Sequence, residues 1–220
     1  MPKVLSITKF GSSPTIDWDG LLLSVFDFWF LWALFANFLD SDEIIRELDL
    51  RGDEVFMDAG CGDGHNAIKI LEDYNHKGLV YAVDVYDASI EDMQTYKDEN
   101  DVENLINIEA DITDGIPGVD DESVDVILMV NVFHGFKASR KLDEAVKELE
   151  RIVKKDGKIA IMDYKAWDVP KGPPTKYRSS PQDLEMLFNK YGLNKIYLNE
   201  DIGEDIPEGK SHFLIMFGKE

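Results

Sequence analysis

One glycine-rich turn constrains this chain of 220 residues more than any other feature. An apolar run at residues 55–57 leads into Asp58-Ala59-Gly60-Cys61-Gly62-Asp63-Gly64, and apolar residues then recur with helical spacing from Ala67 to Leu71. This order predicts a strand, a glycine turn and a helix, the unit that brings backbone N–H groups to a ligand at a helix N-terminus. Glycine suits such a turn because it adopts positive φ and has no side chain to hold a ligand away.

The spacing of the glycines distinguishes two kinds of nucleotide-binding turn. A dinucleotide-binding turn has the pattern G-x-G-x-x-G, whereas here Gly64 comes one residue early and His65 stands where the third glycine would be. The pattern D-x-G-x-G-x-G, which begins at Asp58, resembles the cofactor signature of class I S-adenosylmethionine (SAM)-dependent methyltransferases. A plain structural turn and an NAD-dependent oxidoreductase are the alternatives, and the early glycine counts against the oxidoreductase.

Acidic residues follow two later apolar runs. Asp84 ends the run at residues 78–83 and lies about 20 residues beyond the turn, where an acid in such folds binds ribose hydroxyls; capping the next helix is the alternative. The resemblance implies that Val85 lies against the adenine face, that Asp111 receives the adenine amino group and that the Ile112 backbone donates to the ring.

Alternating strand and helix patterns predict an α/β fold, a three-layer, doubly wound, mostly parallel seven-stranded sheet. Two closing apolar runs, Asn194–Leu198 and Phe213–Phe217, have no clear helix between them and predict an antiparallel C-terminal hairpin. A dehydrogenase would have an all-parallel sheet instead. We expect residues 51–220 to form a SAM-binding methyltransferase domain and residues 1–50 to form an N-terminal helical lid or cap.

An aromatic, apolar stretch from Leu21 to Leu39 precedes the first strand. Its length approaches that of a bilayer-spanning helix, but Asp27 interrupts it and its flanks are acidic rather than basic. We therefore predict a lid over the active site, with Asp27 and Trp29 as substrate-binding candidates. Contact with a membrane surface is not favoured, and a homodimer face is a further alternative.

The resemblance implies methyl transfer by in-line displacement, with the segment Asn131–Phe136 beside the methyl group. His134 is the candidate catalytic base, because imidazole titrates near neutral pH; lining the pocket is its alternative role. Phe136 and Arg178 complete the substrate-binding candidates, and pairing with an acid is the alternative for Arg178. The predicted cofactor-binding residues are Asp58, Gly60, Cys61, Gly62, Asp84, Val85, Asp111, Ile112 and Asn131.

The formal net charge of −21 bears on the acceptor. An acidic surface repels a phosphate backbone, so we expect no nucleic acid partner and a small, partly hydrophobic acceptor. Methylation of a basic protein side chain, and a non-catalytic SAM-binding or dimerising module, are the alternatives. The single cysteine, Cys61, excludes a disulfide within the chain and argues against a metal site. We predict a cytoplasmic enzyme that uses SAM and no metal.

Overall fold

The computed structural model describes residues 39–74, 76–167 and 172–219. The strands of this part of the chain are β1 (Phe56–Ala59), β2 (Val80–Asp84), β3 (Leu105–Glu109), β4 (Val124–Val130), β5 (Val153–Tyr164), β6 (Leu193–Ile206) and β7 (Gly209–Lys219). The helices are α1 (Ser41–Glu47), α2 (His65–Glu72), α3 (Asp87–Glu99), α4 (Phe133–Ser139), α5 (Leu142–Ile152) and α6 (Pro181–Asn189). Short 3₁₀ turns cover Ile112–Asp114 and Thr175–Tyr177.

The seven strands form one sheet in the order β3-β2-β1-β4-β5-β7-β6. The first five strands in this order pair in parallel, and β7 pairs antiparallel with both β5 and β6. This arrangement confirms the predicted fold class, including the antiparallel hairpin at its end. The strand order reverses between β1 and β4, and open α/β sheets bind their ligands outside the carboxyl ends of the strands at such a point.

The core has one apolar cluster on each face of the sheet. Side chains of Met57, Ile127 and Ile161 point to the face covered by α5 and α6, whereas Phe56, Leu128 and Met162 point to the face covered by α1, α2 and α3. The central strands β1 and β4 are mostly apolar because both of their faces are covered. The helices therefore hold the sheet on both sides and leave its strand ends available for a site.

The C-terminal hairpin is longer than the two predicted strands. β6 runs from Leu193 to Ile206 and β7 from Gly209 to Lys219, so most of the chain between the two predicted runs is also paired strand. β6 is an edge strand with mostly half-buried or exposed side chains. Its polar residues stay in the sheet because their backbone groups pair with β7. A prediction from apolar runs alone therefore makes this strand too short.

Residues 1–38 of the predicted lid lie outside the described residues, and so do Asp27 and Trp29. The described remainder is Leu39 and α1, whose N-cap is Asp40; its carboxylate accepts hydrogen bonds from the backbone of Asp42 and Glu43. Ile44 and Ile45 are buried in the apolar cluster that contains Phe56, Leu128 and Met162. Within residues 39–219, as far as they are described, no helix is long and apolar enough to cross a membrane.

Candidate cofactor and active site

A cavity of about 310 Å³ lies at the carboxyl ends of β1, β2 and β4. This is the sheet edge at which the strand order reverses, as expected for a ligand site in an open α/β sheet. α1 closes one side through Leu39, Ser41 and Ile44, and α4 contributes Phe136 and Ser139. Of the predicted site residues, the cavity is lined by Gly60, Cys61, Gly62, Asp84, Val85, Asp111, Ile112, Asn131 and Phe136.

The glycine turn follows β1 and is tied to β2. The backbone N–H groups of Gly60 and Cys61 both donate to the carbonyl of Val83, at 2.7 and 3.0 Å. Gly60 has a φ of +84°, and a Cβ there would lie 2.4 Å from Val132 Cγ2, so it needs both the conformation and the space of glycine. Gly62 has a φ of +54° and open space where its Cβ would be. The turn therefore leaves room for a ligand beside Gly62.

Asp84 holds the turn from the end of β2. One carboxylate oxygen accepts the backbone N–H of Gly62 at 2.8 Å, and the other accepts the backbone N–H of Tyr86 at 3.0 Å. Burial raises the pKa of this carboxyl, although these N–H groups oppose the shift. Asp84 lines the cavity, and a carboxylate oxygen is able to accept more than one hydrogen bond, which suits ribose hydroxyls.

Asp58 lies beneath the turn and is not among the described residues that line the cavity. Its carboxylate accepts the backbone N–H of Ala67 at 3.2 Å, within the first turn of α2. Burial raises the pKa of Asp58 to about 7, and the nearby charges of Asp84 and Asp63 add to the shift. Asp58 fastens the helix to the strand, and its role in cofactor binding stays a prediction that no described cavity contact supports.

Cys61 lines the cavity but is a poor nucleophile. Burial, followed by the charges of Asp58 and Asp84, raises the pKa of its thiol far above the ordinary value. The thiolate is the reactive form of cysteine, so this side chain stays protonated and serves as a small apolar filler.

Asp111 begins the 3₁₀ turn that follows β3. One of its oxygens accepts from the Thr113 backbone at 2.9 Å and from the Thr113 hydroxyl at 2.6 Å, and the other lies 3.3 Å from Lys141 Nζ. Burial favours a higher pKa for Asp111, but these bonds outweigh it and hold the pKa below its usual value. The carboxylate is therefore ionised and able to accept an amino group. Val85, which is 53% exposed, presents an apolar side chain to the same cavity.

Asn131 follows β4 directly and has a φ of +59°, a conformation that asparagine tolerates better than most residues. Its side chain is buried at the cavity wall, and its Oδ1 lies 3.0 Å from Nε2 of His212 on β7. His212 was not among the predicted site residues. The available signal was a single histidine at the start of the buried apolar run at residues 213–217.

His134 is buried and is not among the described lining residues, although Gly135 and Phe136 are. Its Nδ1 lies 3.0 Å from Asp163 Oδ1, and its backbone N–H donates to Asp163 Oδ2 at 2.9 Å. Because α4 begins at Phe133, the helix turns this position toward β5 while Phe136 and Ser139 face the cavity. The position of His134 beside the methyl group and its role as a base both stay predictions, and no described cavity contact supports them. Asp163 was not anticipated.

Arg178 is also absent from the described lining of the cavity. Its guanidinium donates to the carbonyl oxygens of Pro173 at 2.7 Å and Trp167 at 2.8 Å, and it lies 5.5 Å from the centre of the Tyr164 ring. These contacts fasten the loop after β5 to the sheet. The structure places Arg178 as a buried loop anchor, and substrate binding by it stays a prediction.

The lining of the cavity fits SAM. Asp63, Asp84 and Asp111 bring three carboxylates to it, and no lysine or arginine of the described chain lines it. A field of this sign favours a cationic sulfonium, and the two strand-end carboxylates match the hydroxyl and amino groups of adenosine. A glycine turn, two strand-end acids and a sheet that ends in an antiparallel hairpin together define a Rossmann-like, SAM-dependent methyltransferase.

Comparison with known families agrees with this class. Residues 50–202 match the model of the family described as a methyltransferase domain, and the chain belongs to that family. A crystal structure of a SAM-dependent methyltransferase from Aquifex aeolicus superposes with a TM-score of 0.68 at 23% identity, covering 82% of this chain and 89% of that one. Residues 50–202 are thus a methyltransferase domain, with the fold seen in SAM-dependent methyltransferases.

Two curated relatives are named for tRNA methylation. The tRNA(Thr) (cytosine(32)-N(3))-methyltransferase of Saccharomyces cerevisiae is 28% identical over 175 residues, 69% of this chain and 27% of that protein. The human tRNA N(3)-cytidine methyltransferase METTL2B is 26% identical over 194 residues, 76% of this chain and 51% of that protein. The chain thus spans about half, or less, of the length of these relatives.

These relatives overturn the expectation that no nucleic acid is involved. That expectation rested on the net charge of −21, which is a sum over the whole chain. The field at one cavity mouth is set by the charges near it, so a strongly acidic protein is able to present a local surface that nucleic acid accepts. Net charge was therefore the wrong quantity for excluding this class of acceptor.

Proposed function

We propose that this enzyme transfers the methyl group of SAM to a small, partly apolar acceptor. The observation that carries the proposal is the apolar wall formed by Leu39, Ile44 and Phe136. Leu39 lies just before α1, Ile44 in α1 and Phe136 in α4, so the wall comes from outside the sheet. The carboxylates of the cavity lie elsewhere, in the glycine turn (Asp63), at the end of β2 (Asp84) and just after β3 (Asp111). An acceptor that packs against this wall would bury apolar surface and contribute about 25 cal/mol per Å² of that surface to binding.

Bound SAM supplies a methyl group that is already activated on a sulfonium. The residues of this chain then need only to bind, orient and exclude water. In this proposal Asp84 accepts from the ribose hydroxyls, Asp111 accepts from the adenine amino group, and the Gly60–Gly62 turn lets the ligand approach the backbone. The wall of Leu39, Ile44 and Phe136 keeps water away from the transferred group.

The wall of Leu39, Ile44 and Phe136 carries no titratable side chain, which bears on the acceptor atom. Asp63, His65 and Asp84 line other parts of the cavity. An acceptor held at this wall, away from them, requires an available lone pair, as in a neutral amine, a ring nitrogen or an ionised thiolate. A neutral alcohol would need a base, and the described contacts of His134 are to Asp163. We therefore place nitrogen and sulfur acceptors ahead of alcohols.

A tRNA cytidine is the second candidate acceptor. The names of the two curated relatives favour it, and a ring nitrogen needs no base. Lys137, Arg140 and Lys141 lie at the end of α4 and just beyond it, beside the lining residues Phe136 and Ser139. Lys141 is already paired with Asp111 and Asp114, which leaves Arg140, an exposed residue, as the better probe of phosphate contact.

The two acceptors are separated by one labelling experiment. The purified chain is incubated with SAM carrying a radiolabelled methyl group and, in separate reactions, with a small-metabolite extract or with total tRNA. We expect label in a small product. Label in tRNA alone would overturn the small-acceptor proposal, and a salt-dependent loss of that label in Arg140→Glu would support the second candidate. Label in neither reaction would contradict both.

A further inference from the structure

His212 connects the far side of the sheet to the cavity. It is completely buried on β7, opposite Tyr164 of β5, and the centres of the two rings lie 3.9 Å apart. Its Nδ1 lies 2.6 Å from the hydroxyl of Ser211, and its Nε2 lies 3.0 Å from Asn131 Oδ1. The ring therefore bridges the β6–β7 hairpin and a residue of the cavity wall.

The position of Asn131 Oδ1 gives the direction of the hydrogen bonds to the His212 ring. An amide oxygen is able only to accept, so Nε2 of His212 carries a proton and donates to Oδ1 of Asn131. The N–H of Glu204 donates to Ser211 Oγ at 3.0 Å, and the Ser211 hydroxyl proton remains available to Nδ1 of His212.

This bond settles which way the Asn131 amide points. With Oδ1 held by His212, the NH₂ group is the part of the amide that remains for the cavity. No other residue in the described ranges exchanges a side-chain hydrogen bond with Asn131. Its backbone is also fixed, because its N–H donates to Met162 at 2.9 Å and its φ is +59°.

The imidazole of His212 has little freedom to move. A Cβ on Gly203 would lie 2.7 Å from its Nδ1, so β6 passes the ring at a distance that only glycine permits. The Tyr164 ring covers another side. A buried, enclosed ring of this kind holds its hydrogen-bond partner in one orientation.

We propose that His212 is a positioning residue of the SAM site, which acts by holding the Asn131 amide with its N–H groups toward the ligand. The proposal rests on SAM binding in this cavity and is independent of which acceptor is methylated. It gives the β6–β7 hairpin a part in cofactor recognition, although β6 and β7 lie at the opposite end of the sheet from β2 and β3.

A double-mutant cycle tests this proposal. SAM affinity is measured by calorimetry for the wild type, His212→Leu, Asn131→Gly and the double variant. Glycine is chosen at 131 because it keeps the positive φ. We expect His212→Leu to weaken SAM binding about tenfold, the effect of one misplaced hydrogen bond, and to have no further effect in the Asn131→Gly background.

His76→Leu is the matched control. His76 is also a buried histidine, with Nε2 placed 2.9 Å from the carbonyl of Glu54, but it does not line the cavity. The His76→Leu variant should lose thermal stability, as His212→Leu does, but its SAM affinity should stay within about twofold of the wild type. His212→Gln retains a side-chain donor, and we expect it to recover part of the affinity.

Equal losses of affinity from His212→Leu in both backgrounds would overturn the positioning role, and so would unchanged affinity in the single variant. If His212→Leu does not fold, His212→Gln is measured instead, in the wild type and in Asn131→Gly. An equal loss of SAM affinity in both would again overturn the positioning role. Failure of the folded wild type to bind SAM would instead contradict the cofactor assignment itself, so the two failures are distinguishable.

Discussion

Asp84 and Asp163 occupy similar places in the sheet but do different things. Each stands at or next to the carboxyl end of a parallel strand, each is buried, with 7% and 5% of its surface exposed, and each accepts two backbone N–H groups. Asp84 lines the cavity, whereas Asp163 is not among its described lining residues. Burial raises the pKa of Asp84, while His134 and the N–H groups overcome burial and hold the pKa of Asp163 below its usual value.

The two carboxyl groups differ in pKa because their hydrogen-bond partners differ, not because their strands do. Asp163 is paired with the imidazole of His134 at 3.0 Å and so has its charge satisfied inside the protein. Among the described residues, Asp84 accepts from N–H groups of the glycine turn and of the following loop, and it lines the cavity. A buried carboxylate at a strand end is thus available to a ligand where no charged side chain is paired with it.

The largest expected effect is the loss of stability from Asp163→Ala. The substitution leaves the His134 imidazole and two backbone N–H groups without their acceptor inside the protein, which costs about 3 kcal/mol in the free energy of unfolding. Urea unfolding measures this loss, and SAM affinity should stay within about threefold. A large loss of SAM affinity in a variant of native stability would contradict the comparison.

Asp84→Asn should give the opposite pattern. The amide keeps the shape of the side chain but loses the charge and one acceptor, so we expect SAM affinity to fall about 30-fold, or about 2 kcal/mol. The variant should remain folded, with a smaller loss of stability than Asp163→Ala. Calorimetry measures the SAM affinity. An affinity equal to that of the wild type would show that Asp84 does not bind SAM.

The pH dependence of stability should differ in sign between the two sites. The unfolded pKa of an aspartate is about 3.9. The contribution of Asp163, whose folded pKa is lowered, is present above that pH and lost as the pH falls below it. Asp84, whose folded pKa is raised, keeps its proton in the folded state as the pH rises from about 4, so its contribution falls as the pH rises.

Unfolding of the wild type, Asp163→Asn and Asp84→Asn between pH 3 and pH 7 measures these slopes. Relative to the wild type, the free energy of unfolding of Asp163→Asn should increase as the pH falls. That of Asp84→Asn should increase as the pH rises. Each change is limited to about 1.4 kcal/mol per pH unit, the value for one proton. If both variants changed with pH in the same direction relative to the wild type, the proposed difference between Asp84 and Asp163 would be wrong.

The smallest expected effect is on turnover in His134→Gln. Glutamine retains a donor for Asp163, so we expect a loss of about 1 kcal/mol in stability and a rate constant within about twofold of the wild type. Single-turnover kinetics with saturating SAM measures the rate. A fall of about a hundredfold or more with unchanged SAM affinity would instead establish His134 as the general base.

Local sequence was sufficient to predict which strand-end residues line one side of the cavity. Asp84, Asp111 and the glycines of the turn follow strands directly, and parallel strands bring their carboxyl ends to one edge. Their positions along the chain therefore fixed their positions in space. The same reasoning correctly gave the order of strands and helices and the antiparallel ending, because apolar runs and helical periodicity are local signals.

Side-chain direction and long-range pairing came only from the tertiary structure. His134 is one residue past the start of α4, and the helix turns it to Asp163, 29 residues away in sequence. His212 meets Asn131 across 81 residues, through a pairing of β5 with β7 that no local pattern encodes. The sequence by itself determined where the cofactor turn and its acids lie, since each depends on its own strand. Only the packing of distant elements decided which buried polar groups face the cavity, since a hydrogen-bond partner is chosen by proximity in space.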